Sequence, residues 1–151
     1  MVYLNFNSWR KGVEYLGEQK LKDYEKFIIT DSDLLPFPNT PKNLVAHLSY
    51  LIDKYPKFNH IGTSLEINDL PDKNPMKEKV IHFESNYWEP KAEILNDEVY
   101  VAKIDSTFAM YRTGSRTIIT HPSLRTKRPY TLKHIDWYLA PEDFSDEYIY
   151  Y

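Results

Sequence analysis

The chain contains no cysteine. That absence excludes disulfide bonds and any thiolate metal site, and with them a small secreted scaffold held together by bridges. No stretch approaches the roughly 18 consecutive apolar residues of a spanning helix, so no transmembrane segment is expected. The opening "MVYLNFNSWRKG" is too short and too polar for a signal peptide, and a cytoplasmic location is the expectation. Positive charge is not in excess either, since the formal net charge is −3. Duplex nucleic-acid binders are usually basic, so nucleic acid is not an expected partner, although a local basic site for phosphate stays open. Internal repeats, low-complexity tracts, a G-x-S-x-G nucleophile elbow and a phosphate-binding P-loop are all missing.

What is there suits one domain over residues 1–151. A chain of this size buries about 68–70% of its unfolded surface, enough for a real core. Aromatic residues are abundant, and any surplus near polar loops would suit stacking on sugars.

Asn5 to Tyr15 reads as a loop entering a helix that ends near Gly17. Lys26 to Thr30 reads as a short buried strand, and Asp31 to Asn39 as its loop. Thr40 and Pro41 supply a cap and a first position for a helix. In it Leu44, Leu48, Leu51, Ile52 and Tyr55 recur at helical spacing, and Pro56 stops it. His60 to Ile67 reads as a second strand. Asn74 and Pro75 open another helix to about Trp88, with Met76, Val80, Phe83 and Tyr87 on one side. Val99–Ile104, Thr107–Tyr111 and Arg116–His121 read as strands, "SLRTKRPYTLKHIDWYL" as polar loop, and "SDEYIYY" as a last helical turn. The order predicts an α/β domain with a mixed sheet flanked by helices.

The stretch "FIITDSDLLPFP" ends an apolar strand on two carboxylates, Asp31 and Asp33. Open α/β sheets bind ligands at the carboxyl ends of their strands. Residues i and i+2 of an extended segment point to one side. Two carboxylates placed so can share a hard cation, Mn²⁺ or Mg²⁺, that keeps positions for phosphate oxygens. The alternative is a simple turn, because Asp and Ser are favoured turn formers.

Other residues carry a functional and a plain reading side by side. Arg10, with Asn5 and Asn7, precedes the first helix, where an N-terminus and a guanidinium suit a diphosphate; otherwise they are solvated turn residues. Glu84 and Trp88, at i and i+4, can present a carboxylate and an aromatic face to a sugar, or Trp88 packs into the core. Trp137 is a second stacking candidate. Asp69 and Asp72 flank a proline, as turn residues or substrate contacts. Arg125, Lys127 and Arg128 form a basic cluster that clamps phosphate or faces solvent. His47, His60, His82 and His121 have no spacing partner that makes a metal site.

"EKFIITDSDLLP" resembles the D-x-D region of GT-A-fold glycosyltransferases. The blocks "LNFNSWRKGVEYLG", "IGTSLEINDLPD", "HFESNYWE", "IDSTFAMYR" and "RPYTLKHIDWYL" look like a small bacterial and viral group of such proteins, over nearly the whole chain. The resemblance implies a Rossmann-like nucleotide-diphospho-sugar transferase fold. It also implies a nucleotide-sugar donor, a UDP-sugar being one candidate, a carbohydrate acceptor, and a Mn²⁺ or Mg²⁺ ion on the diphosphate. Asp31 and Asp33 match the D-x-D positions, Asp33 as the direct ligand, and His134 matches the C-terminal metal histidine. Lys133 beside it would meet a phosphate as a point charge, and Asp105 would contact sugar or act as general base. The family has about two more β-α units before "VYLNF". Their loss predicts an N-terminally truncated sheet with an exposed edge, covered by a homo-oligomer or by a compensating element. The function implied is sugar transfer to a hydroxyl, of hexosyltransferase type. The competing reading is a truncated, non-catalytic binding or assembly module. A third is a metal-dependent phosphohydrolase, which also uses paired aspartates.

Overall fold

The computed structural model describes residues 21, 23–88, 93–104, 108–113 and 123–144. The expected first helix with Asn7 and Arg10, Asp105, the strand over Arg116–His121, and the "SDEYIYY" turn all lie outside them. Within the described residues the chain is a mixed α/β protein with two sheets and few helices.

The larger sheet takes β1 (Lys26–Ile29), β3 (His60–Gly62), β5 (Glu93–Ile94), β6 (Val99–Val101), β7 (Ala109–Arg112) and β8 (Leu124–Thr126), in the order β1-β7-β3-β8-β6-β5. The smaller takes β2 (Leu34–Pro36), β4 (Ser64–Leu65) and β9 (Thr131–His134), in the order β2-β9-β4. Each sheet is mixed: β3 runs parallel to β8 and β4 parallel to β9, and the other pairs are antiparallel.

Three segments pass from the larger sheet into the smaller. The span expected as one strand, His60 to Ile67, breaks at Thr63, whose N–H donates to Phe108 O at 3.0 Å. Its first half pairs with β7 and β8 and its second with β9. The segment expected as polar loop is instead β8, a turn and β9. Its polar residues mislead because they are buried with partners. Ser64 Oγ donates to Thr126 O at 2.7 Å, and Thr40 Oγ1 to Thr131 O at 3.0 Å. The third passage runs from β1 through Thr30–Asp33 into β2, where only loop is expected. β1 itself is half-buried, as suits a strand paired on one side, with β7.

Helix α1 (Leu44–Lys54) lays Leu48, Leu51 and Ile52 on Ile61, Val99, Met110 and Leu124 of the larger sheet. Burying each of these side chains contributes about 1.5–3 kcal/mol. Thr40 does not cap α1. Its hydroxyl accepts from Phe37 N–H at 2.9 Å and ties the preceding loop to β9, so the helix starts at Leu44.

Helix α2 (Lys77–Glu84) continues as a 3₁₀ turn over Ser85–Tyr87. Asn74 Oδ1 accepts from Met76 N–H at 2.8 Å, and Asn74 Nδ2 donates to Asp136 O and Leu139 O at 2.9 and 3.1 Å. The start of α2 is thereby fixed to the C-terminal 3₁₀ turn Ile135–Tyr138. Phe83, expected on the apolar side, is exposed, while Glu84 is buried.

Candidate metal centre

The turn Thr30–Asp33 lies where the chain leaves one sheet for the other. The β2–β9 register sets Leu34 opposite His134. One step further, Ile135 N–H donates to Asp33 O at 2.8 Å. This pairing brings together residues from opposite ends of the chain. Ligand atoms of Asp31, Asp33 and His134 all lie within 4.8 Å of one another.

His134 Nδ1 stands 3.2 Å from Asp33 Oδ2, within ion-pair reach. The approach is off the hydrogen-bond direction, so this buried nitrogen has no hydrogen-bond partner. The imidazole stacks on Trp137, 4.7 Å between centroids and 7° from parallel. A buried ring nitrogen beside a carboxylate oxygen, with no hydrogen bond between them, is how two ligands of one cation are disposed. Ligands of an ion with bonds of about 2.1 Å sit roughly 3 Å apart when adjacent. Two carboxylates and one imidazole suit Mn²⁺ or Mg²⁺, with Mn²⁺ the more tolerant of nitrogen. The donor set therefore fits such an ion. The negative charge of Asp31 is also felt below the centre: burial first, and then Asp31, push the buried Tyr111 hydroxyl up to about 12.

Trp137 is half-buried and stacks on this imidazole. Lys133 does not join the cluster. Successive strand residues face opposite ways, and its Nζ lies 4.0 Å over the Tyr138 ring and 5.3 Å over Phe37. Glu84 and Trp88 do not make a surface platform. Glu84 is 2% exposed and accepts from Arg125 Nη1 at 3.0 Å. Trp88 is buried, with its Nε1 donating to Leu65 O at 3.2 Å.

The basic cluster is likewise dispersed. Arg125 is buried under Tyr87, 4.8 Å from its ring centre. Lys127 lies over Tyr100, and Arg128 forms a two-pronged pair with Glu66 at 2.6 and 2.5 Å. Asp72 pairs with Lys77 at 2.5 Å on the surface, and Lys77 holds its carboxyl below the usual range. Asp69 is more telling, since it accepts from Tyr138 O–H at 2.5 Å and lines a pocket of about 330 Å³. Glu66, Asn68 and Arg128 also line it. Of these, sequence reasoning singled out Asp69, and Arg128 only as part of the basic cluster; the pocket joins three loops that no local pattern connects.

Comparisons with family models, curated proteins and solved structures returned no match.

Proposed function

We propose that the chain is a metal-dependent glycosyltransferase domain of GT-A type, moving a sugar from a nucleotide-diphosphate donor to a hydroxyl acceptor. The observation that carries this reading is the convergence of Asp31, Asp33 and His134. The carboxylates belong to the strand-terminal D-x-D, and the histidine to the separate block that the family resemblance pairs with it. Asp31 and Asp33 would hold a divalent ion by charge, and His134, oriented by Trp137, would complete the protein's ligands. Such an ion supplies charge neutralisation to a departing diphosphate. The general base expected at Asp105 lies outside the described residues.

One observation favours the non-catalytic reading. Lys133, Arg125, Lys127 and Arg128, the described cations expected at phosphate, are occupied by aromatic rings or carboxylates. Thermal unfolding separates the two. A donor site gives a rise in melting temperature that needs Mn²⁺ and UDP together. At 100 times the Kd the rise is about 5–10 °C. Asp33→Asn removes it. A rise that survives in Asp33→Asn, or none at all in the unaltered chain, contradicts a donor site here.

A further inference from the structure

The pocket lies at the other end of β9 from His134. Thr131 opens the strand and lines the pocket, while His134 closes it at the metal centre. Four strand residues span about 10 Å. At about 330 Å³ the pocket is at the small end of ligand sites, which run from roughly 300 to 1,000 Å³.

Its walls are preorganised. Glu66 Oε1 accepts from the N–H groups of Ile67 and Asn68 at 3.0 and 3.1 Å, and the Arg128 fork holds both its oxygens. Arg128 is backed by Trp88, 4.3 Å from the ring centre. Asp69 is anchored by Tyr138. Phe37 gives an aromatic wall, with Lys133 over it. Asn39 and Asn68 are left uncommitted: they are exposed, and their side chains make no hydrogen bond among the described residues.

The chemistry of these walls is selective. Two acids, Glu66 and Asp69, stand against one base, Arg128, so the lining carries a formal charge of −1 and disfavours an anion. The guanidinium fork that would grip a phosphate is already filled by Glu66. Carboxylate oxygens accept, and carboxamides both donate and accept. Beside them is one aromatic face. That combination matches a ring bearing several hydroxyls and an apolar C–H face.

We propose that this pocket binds one neutral pyranose unit, the acceptor end of the transfer. Its role as acceptor rests on the proposed function, whereas its affinity for sugar does not. The test is saturation-transfer NMR on the full chain in EDTA. The probes are methyl α-glucoside, methyl α-mannoside, methyl β-galactoside and N-acetylglucosamine, with inorganic phosphate as competitor. At least one glycoside receives saturation without metal. Asn68→Ala and Asn39→Ala each weaken its affinity about two- to tenfold, the loss of one hydrogen bond, and phosphate leaves it unchanged. Both side chains are exposed and make no hydrogen bond among the described residues, so folding is not at stake. The proposal is overturned if no glycoside is saturated, if both variants bind as the unaltered chain does, or if phosphate displaces the sugar. Sugar binding in a chain that binds no Mn²⁺ sinks the metal reading alone. Mn²⁺ binding without sugar binding sinks the pocket alone.

Discussion

The imidazole of His134 is stacked on Trp137, and its Nδ1 stands 3.2 Å from Asp33 Oδ2. A ligand so fixed loses little freedom on meeting a cation. Removing the stacking face releases the ring without touching a ligand atom. Trp137→Ala should therefore weaken Mn²⁺ binding by about tenfold, in the range for residues that orient metal ligands. Trp137→Phe should keep most of the affinity. Electron paramagnetic resonance of free Mn²⁺ during titration reads both. Equal affinity in Trp137→Ala and the unaltered chain would mean that the stack does not position the ligand. At this scale the carboxylate pair was legible, because an apolar strand ending on Asp31 and Asp33 is a local pattern. His134 was reachable only through family resemblance, since nothing local marks one histidine of five.

The elements explain the rest of what was and was not readable. Helix α1 announces itself because Leu48, Leu51 and Ile52 repeat at its period and face one core. β8 and β9 escape because burial there is polar: Arg125, Thr126 and Thr131 are inside, with Arg125 paired to distant Glu84 and the Thr126 hydroxyl donating to Tyr130 O. Of the two readings of Glu84 and Trp88, burial agrees with core packing: Trp88 is inside, and Arg125 pairs with Glu84 in the interior. Asn74 and Pro75 are expected to open α2, but the helix starts at Lys77, and Asn74 acts instead as a clamp that no local pattern shows. Asn74→Ala leaves the carbonyls of Asp136 and Leu139 and the N–H of Met76 without this partner. The expected cost is about 2–3 kcal/mol, or roughly 5–10 °C in melting temperature. A loss below 1 °C by calorimetry would show that the clamp between α2 and the C-terminal turn contributes nothing.

For the whole molecule, the distribution of ion pairs sets the acid response. Burial works against the charged form of Glu66. The Arg128 fork and the N–H groups of Asn68 and Ile67 outweigh it and hold the carboxyl below its ordinary value. A depressed folded-state value stabilises fully above the unfolded value of about 4.3. That contribution is lost as pH falls through the lower folded-state value. Glu66→Gln should thus lose about 1–2 kcal/mol at pH 7 and depend less on pH between 6 and 3, by urea unfolding. Parallel stability curves for the two proteins would contradict the pairing. No helix among the described residues is long and apolar enough to cross a membrane.

The proposed function requires one cation at Asp31, Asp33 and His134. Its most direct measurement is Mn²⁺ titration by paramagnetic resonance, with and without UDP, for the unaltered chain, Asp33→Asn and His134→Ala. One Mn²⁺ per chain, bound more tightly with UDP and lost by at least a hundredfold in both variants, is the predicted result. Mn²⁺ affinity indifferent to both substitutions would contradict the site and the function proposed from it.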